Sequence, residues 1–222
     1  MSENSEFSNV NETENIEENE ISTPSKFTSF VKEVFSWIVC VAVAVAIAFV
    51  IRNFVFMNVK VDGSSMNPTL HHNEKVFARI IGYTPKRGDV VIFHPAHNKD
   101  IAYIKRVIAT EGDRVWIDDS NGQVHLKKSG SDEWEILKED YISDEKYNSM
   151  NLNCAKRYVD DSGEEGLLIK EDHIFVLGDN RNHSNDSRND TEFNTVGQVS
   201  VDSVMGKASF RWWPISEFGS IY

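Results

Sequence analysis

The most pronounced hydrophobic feature of the chain is an uncharged run of 18 residues, Val34 to Ile51, in which Ser36 is the one polar side chain. A helix of about 20 apolar residues spans a hydrocarbon core of ~30 Å. A cleaved signal sequence has a shorter apolar core, about 7 to 15 residues, behind a basic segment. We therefore predict an uncleaved transmembrane signal anchor over residues 30–57. Basic residues are balanced on its two sides, so the positive-inside rule does not orient it.

Beyond the anchor, the pattern changes to short segments rich in Val, Ile and Phe and separated by turn residues, which is typical of β-strands. The predicted strands are Val59–Val61, Lys75–Ile81, Asp89–Phe93, Ile101–Ala109, Arg114–Ile117, Ile174–Leu177 and Val204–Phe210. A hairpin over Trp116–Leu126 has the favoured Asn-Gly pair at its turn. Residues from about 120 to 166 are polar and irregular, and we interpret them as an insertion. The predicted fold class is mainly β, with packed antiparallel sheets over residues 58–222.

The charge of the chain is unevenly distributed. Its formal net charge is -12, and the first 25 residues contain seven glutamates and neither Lys nor Arg. Such a segment buries too little apolar surface to fold alone. We predict a disordered acidic tail over residues 1–29, and no nucleic acid as partner, because phosphate binding needs positive charge.

The two cysteines do not indicate a functional site. Cys40 lies in the anchor and Cys154 in a polar stretch, and no paired spacing typical of zinc ligands is present. We interpret Cys154 as a bystander thiol and predict neither a metal nor a cofactor.

The first candidate for chemistry is Ser65, in the stretch Asp62–Leu70. A serine attacks a carbonyl well only when a base takes its proton and N-H groups stabilise the resulting oxyanion. Gly63 and Pro68 favour a bend that is open to substrate. An ordinary polar turn is the alternative, since the same residue types make turns.

The candidate base is Lys105, in the middle of an apolar predicted strand. Side chains alternate along a strand, so Lys105 shares a face with Tyr103 and Val107 while Arg106 points the other way. Burial disfavours a charged amine and lowers its pKa. The alternative is an edge-strand lysine, or one whose amine reaches solvent.

The third candidate stretch is Gly178–Arg188, which follows a predicted strand. Its many oxygen side chains fail the register of a calcium loop, because Ser187 and Phe193 stand where Gly and Glu are needed. In an extended segment, Asp186 and Arg188 would lie on one face and pair.

Together these stretches resemble one family, the bacterial type I signal peptidases, which are membrane-anchored serine proteases with a Ser/Lys dyad. The matching stretches are Ser65–Leu70, Arg87–Phe93, Tyr103–Ile108, Gly178–Arg188 and Gly206–Ala208 with Trp212. They occur in the order in which the family has them, and the resemblance covers the anchor and nearly all of residues 58–219.

The resemblance implies a single-pass protein of the cytoplasmic membrane with a cytoplasmic N-terminus and an external catalytic domain. Its implied partners are membrane lipid and the signal peptides of secreted preproteins, which it cuts after small residues. By position, Ser65 is the nucleophile, Lys105 the general base and Ser184 the hydroxyl that orients the lysine amine. Asp186 and Arg188 are implied to form a structural pair.

Two positions depart from the family pattern. Gly63 stands where some members have a second serine as an oxyanion donor, which shifts that role to backbone N-H groups. Residues 109–113 replace a more usual Gly-x-Pro-Gly-Asp turn. A soluble self-cleaving repressor of related fold is disfavoured by the anchor. A non-catalytic membrane-tethered β module is the alternative from another functional class.

Overall fold

The computed structural model describes residues 26–50, 56–118, 121–142, 165–189 and 196–222. The chain divides into two compact units, Met1–Ala46 and Ile47–Tyr222. Most of the predicted acidic tail, Cys154 and a large part of the predicted insertion lie outside the described residues.

The first element is a single long helix, α1, over Lys26–Val50. Within it, Ser29–Phe49 is long and apolar enough to cross a membrane, and its side chains are exposed. The helix begins at Lys26, inside the range predicted for the tail. The first strand begins at Phe56, inside the range predicted for the anchor.

The second unit is built from antiparallel strands. Their bounds are β1 Phe56–Lys60, β2 Lys75–Arg79, β3 Val90–Phe93, β4 Tyr103–Thr110, β5 Arg114–Ile117, β6 Val124–Lys127, β7 Trp134–Ile136, β8 Leu167–Leu168, β9 His173–Leu177, β10 Val199–Ser200, β11 Val204–Trp213 and β12 Gly219–Ser220. Among the described residues, eight of them form one sheet in the order β1-β2-β11-β3-β4-β9-β10, with β12 paired to β11. The predicted mainly β fold is confirmed.

A second sheet has the order β7-β6-β5-β8. It contains the predicted hairpin, in which Ile117 pairs with Val124. The strand β6 belongs to the predicted hairpin, whereas β7 lies in the residues from about 120 that were interpreted as irregular. In β6, Val124 and Leu126 are buried while the residues between and after them are half exposed, and β7 is exposed throughout. A strand of three residues such as β7 is too short for its alternation to be recognised in the sequence.

Three groups of buried apolar residues hold the second unit together. One packs Met66 and Leu70 of the β1–β2 connection against the first sheet. Another joins the end of β4 to the second sheet, and the third covers the opposite face of β3, β4 and β9. The strand β4 therefore lies at the centre of the core, between β3 and β9, and both faces of its middle are enclosed.

Candidate active site

The connection between β1 and β2 presents Ser65. The buried side chains of Met66 and Leu70 fix this connection from below, and the Leu70 N-H donates to the Met66 carbonyl at 2.9 Å. Gly63 has a φ of +97°, a conformation that favours glycine, and no atom lies within 4 Å of where a Cβ would be. The connection therefore bends at Gly63 and leaves Ser65 half buried.

The structure brings Ser65 and Lys105 into contact. Lys105 projects from the middle of β4, where it pairs with Val91 of β3, and only 4% of the residue is exposed. Its Nζ donates to Ser65 Oγ at 2.7 Å and to the Ile104 carbonyl at 2.9 Å. A nucleophile and a base within hydrogen-bonding distance satisfy the first geometric condition for nucleophilic catalysis.

Burial determines the charge of Lys105. It lowers the pKa of this amine to about 8, although the charges of Asp186 and Asp179 act in the opposite direction. Within the described residues, no carboxylate forms an ion pair with Lys105. The amine can therefore lose its proton at a pH well below the usual range of lysine.

Asp186 and Arg188 form a buried ion pair with two hydrogen bonds. Arg188 Nε donates to one carboxylate oxygen at 2.8 Å and Nη2 to the other at 2.9 Å. Although burial alone would raise the pKa of Asp186, the guanidinium of Arg188 holds it below its usual value. The two residues lie in a loop of turns and bends, not on the extended backbone that the sequence argument assumed.

Ser184 lies beside the nucleophile but forms no hydrogen bond with the lysine amine. Its Oγ is buried and has no hydrogen-bond partner in the structure. A Cβ added to Gly178 would lie 2.2 Å from this Oγ and 2.5 Å from the Ser65 carbonyl oxygen, so glycine is required for the loop to approach Ser65 this closely. The hydroxyl is also near enough to Asp186 to help lower the pKa of that carboxyl.

Sequence reasoning missed the ion pair of Arg106 with Asp179. Arg106 Nε and Nη2 donate to the two Asp179 oxygens at 2.9 and 2.7 Å, and both side chains are buried. The Thr69 hydroxyl donates to the same carboxylate at 2.5 Å, which ties the nucleophile stretch to the pair. The signal was present in the sequence, because a buried arginine stays protonated and needs an anion.

A second missed residue is Asn180, which binds the backbone at the nucleophile. Its N-H donates to the Ser65 carbonyl at 3.0 Å, and its Nδ2 donates to the Ser64 carbonyl at 3.0 Å. The two partners are 116 positions apart along the chain. Asparagine in a turn gives no sequence signal for such a long-range contact, since turns contain it for local reasons.

Among the described residues, one group of side chains has the geometry of metal ligands. The ligand atoms of His71, Glu74 and Glu217 lie within 4.8 Å of one another. Arg211 Nη1 already contacts both carboxylates, at 3.1 Å from Glu74 and 3.0 Å from Glu217. The guanidinium supplies the positive charge that a metal would bring, so this group does not favour a cation.

Comparisons with known proteins identify the family. The family described as signal peptidase, peptidase S26, matches residues 34–213. A signal peptidase IB of Staphylococcus aureus (strain COL) is 34% identical over 200 residues, which are 84% of this chain and 93% of that protein. A signal peptidase I of Bacillus licheniformis is 32% identical over 199 residues, which are 88% of this chain and 97% of that protein.

Among solved structures, a signal peptidase I from Enterococcus faecalis V583 is 28% identical, with a TM-score of 0.41 over 57% of this chain and 98% of its own. Members of the S26 family are serine peptidases, so the prediction that this chain is an enzyme of that class is confirmed. The chain belongs to the signal peptidase family, peptidase S26.

Proposed function

We propose that the protein is a membrane-anchored peptidase that removes signal peptides from secreted preproteins through a dyad of Ser65 and Lys105. The observation that carries the proposal is the 2.7 Å contact of Lys105 Nζ with Ser65 Oγ, made by an amine whose pKa burial lowers to about 8. The names of the relatives support the choice of substrate.

In the proposed reaction, neutral Lys105 accepts the proton of Ser65 Oγ as the oxygen attacks the scissile carbonyl. The protonated amine then donates to the departing nitrogen, and an acyl-enzyme forms at Ser65. In a second half-reaction, Lys105 takes a proton from the water that hydrolyses the ester, and Ser65 regains its hydrogen. The Lys105 amine therefore accepts and donates the proton in both half-reactions.

The oxyanion of this reaction needs hydrogen-bond donors. The Gly63 N-H donates to His72 Nδ1 at 3.1 Å and is therefore engaged. No hydrogen bond from the Ser65 N-H to another described residue is present, so this donor is available. We assign it the main role in stabilising the oxyanion, as expected where Gly63 replaces a serine.

The remaining predicted site residues have supporting roles in the proposal. Arg188 neutralises Asp186, which limits how far this carboxylate raises the pKa of Lys105. Ser184 is the hydroxyl that orients the amine once substrate is bound, and the position of its Oγ beside Gly178, which lies against the Ser65 carbonyl, supports this role. Cleavage after small residues follows from the family resemblance.

The proposal also places the protein in the cytoplasmic membrane. The helix α1 would be the single span, with the acidic tail in the cytoplasm and the catalytic domain outside, where preproteins emerge. An aromatic surface of the exposed Phe56, Phe77 and Trp213 and the half-buried Trp212 supports contact with lipid head groups, because aromatic rings are favoured at that depth. Nucleic acid is not a proposed partner of this acidic protein.

The proposal is tested by cleavage of a preprotein that carries alanine one and three residues before its cleavage site. The full chain is assayed in detergent beside Ser65→Ala, with Ser131→Ala, a turn serine of the second sheet, as matched control. We expect wild type and control to release the same mature N-terminus, identified by mass spectrometry, with or without EDTA. Absence of cleavage by wild type, or near-normal cleavage by Ser65→Ala, contradicts the proposal.

The proposed orientation has its own test. In intact spheroplasts, added protease should digest the catalytic domain and spare an epitope in the acidic tail. Digestion of the tail with survival of the catalytic domain would show the opposite orientation.

A further inference from the structure

The segment that follows β7 leaves the second sheet and contacts the loop that carries the supporting residues. The segment consists of Lys138–Ile142, and the loop is Gly178–Arg188, which we call the catalytic loop. Glu139 contacts Arg181 of that loop 42 positions away, and 13% of the Glu139 side chain is exposed. The contact therefore joins the second sheet to the active site.

Glu139 neutralises a fully buried arginine. Arg181 Nη1 donates to Glu139 Oε2 at 2.9 Å, and Nη2 donates to Oε1. The Tyr141 hydroxyl donates to Oε1 at 2.6 Å. Burial and the Glu139 charge both raise the pKa of Tyr141, so its hydroxyl remains protonated and keeps donating. The carboxylate is thus held from two directions.

Arg181 transmits this contact to the backbone beside Ser65. Its Nε donates to the Gly178 carbonyl at 3.1 Å, and its own carbonyl accepts from Arg188 Nη1 at 3.0 Å. Gly178 lies directly against the Ser65 carbonyl, and its N-H donates to Asp186 at 2.9 Å. A change at Glu139 therefore reaches Ser65 through one arginine.

Tyr141 makes a second contact, on the other side of the same loop. Its ring packs against the guanidinium of Arg106, with 3.9 Å from Cζ to the ring centroid, and Arg106 holds Asp179. Asp179 and Arg181 flank Asn180, which donates to the carbonyls of Ser64 and Ser65. The two contacts thus act on both chain neighbours of the residue that holds the nucleophile.

We propose that Glu139 and Tyr141 are positioning residues that fix Asn180 and thereby hold Ser65 at hydrogen-bonding distance from Lys105. This inference rests on the proposed function, since positioning has meaning only for a reaction at Ser65. Small displacements of a nucleophile lower the rate strongly, with about 100-fold lost for a shift of 1 Å. Neither Glu139 nor Tyr141 is proposed to contact substrate, so changes at these residues should affect KM little.

The test compares Glu139→Gln with Asp140→Asn in the full chain in detergent. Asp140 lies between the two proposed residues, but its pair with Lys138 at 2.9 Å is exposed, which makes it a matched control. We expect Glu139→Gln to lower kcat by about 10- to 100-fold at nearly unchanged KM, and Asp140→Asn to leave both unchanged. Activities are compared per folded molecule, well below the melting temperature of each variant.

Because Glu139→Gln strands a buried guanidinium and could prevent folding, Tyr141→Phe is the second variant. It removes the hydroxyl that donates to Glu139 and keeps the ring over Arg106. We expect a smaller drop in kcat, of about 3- to 10-fold, again with KM unchanged. A loss of activity that matches the fraction of unfolded protein, or a rise in KM alone, overturns the proposal.

Hydrogen exchange separates this inference from the proposed function. The amide of Asn180 should exchange at least about 10-fold faster in Glu139→Gln than in wild type, because its bond to the Ser65 carbonyl opens more often. Asp140→Asn should exchange as wild type does. If wild type cleaves no preprotein, the proposed function fails, and the exchange alone decides whether Glu139 holds the loop. Unchanged exchange overturns the inference even in an active enzyme.

Discussion

Two adjacent residues of β4, Lys105 and Arg106, carry buried cations in opposite environments. Each residue is 4% exposed. Lys105 contacts a hydroxyl and a carbonyl, and burial lowers its pKa to about 8. Burial alone would also lower the pKa of Arg106, but the hydrogen bonds and charge of Asp179 raise it. The presence of a bound carboxylate, and not burial itself, separates a group able to lose its proton from a permanent cation.

The comparison extends to the surrounding charges. Three buried or nearly buried carboxylates near the site, Asp179, Asp186 and Glu139, are each bound by an arginine. Arginine cannot lose its proton in a protein, so the positive member of each pair stays charged as the pH rises. Within the described part of the chain, Lys105 is left without an ion pair. The arginines therefore allow acidic residues close to a lysine without fully restoring its charge.

The largest expected effect comes from replacing Lys105 with arginine, a cation that cannot lose its proton. Lys105→Arg keeps the charge but cannot act as a base. General-base catalysis contributes about 10²- to 10⁴-fold, so we expect kcat for preprotein cleavage to fall by at least that factor. Lys128→Arg, in an exposed ion pair with Glu135, is the control and should cleave normally.

Since Ser65 and Lys105 act as one unit, the double variant Ser65→Ala/Lys105→Arg should be hardly less active than either single variant. Circular dichroism and melting temperature must show that each variant is folded. Cleavage by Lys105→Arg at nearly the wild-type rate would mean that Lys105 is not the base.

The second prediction concerns removal of the Arg106 guanidinium. Arg106→Met leaves Asp179 buried without its partner, and we expect a loss of about 3–5 kcal/mol in the free energy of unfolding. Urea denaturation measures this loss. Arg79→Met, at an exposed position of β2, should change stability by less than about 0.5 kcal/mol. Adding Asp179→Asn to Arg106→Met should recover part of the loss, and no recovery would argue against an unpaired charge as its cause.

The contrast between Lys105 and Arg106 also shows which contacts of the site can be predicted from the sequence. Apolar flanks predicted a desolvated amine at Lys105 with Arg106 pointing the other way, and the family resemblance implied that Lys105 is the base for Ser65. The pairing of Arg106 with Asp179 brings together two residues that are 73 positions apart along the chain. The contact of Glu139 with Arg181 involves a segment that the sequence analysis interpreted as part of an insertion. Such contacts depend on sheet order and on packing between sheets, which local periodicity does not encode.

The third prediction concerns pH and follows from the same difference in pKa. Only the neutral amine of Lys105 is a base, so kcat/KM should rise with pH and level off above about 8. Between pH 6 and pH 8 the neutral fraction increases by about 50-fold, and the rate should follow it. Rates are measured with one preprotein in buffers of constant ionic strength. A midpoint near the ordinary value of lysine, 10.5, would contradict the assignment of the base.

The smallest expected effect is a gain in stability when the base is removed. At pH 7 the folded protein must bury a charged amine at Lys105 or release its proton, and either costs free energy relative to the unfolded chain. The pKa of about 8, below the ordinary lysine value of 10.5, corresponds to about 3 kcal/mol as an upper bound. Lys105→Met keeps the length of the side chain and needs no proton, although it loses two hydrogen bonds. We therefore expect it to raise the free energy of unfolding at pH 7 by about 1–2 kcal/mol.

The pH dependence of this gain in the free energy of unfolding tests whether it comes from the titration of Lys105. Between about pH 8 and pH 10.5, the unfolded wild type binds a proton that the folded protein does not, so wild-type stability rises with pH in that window. Lys105→Met lacks this group, and its advantage should narrow between pH 7 and pH 9.5 in urea denaturation. The same substitution at the neighbouring cation, Arg106→Met, should destabilise the protein at both pH values. An advantage of Lys105→Met that is constant with pH would come from apolar packing alone, and a loss of stability at pH 7 would mean that the two hydrogen bonds of the amine outweigh its desolvation cost.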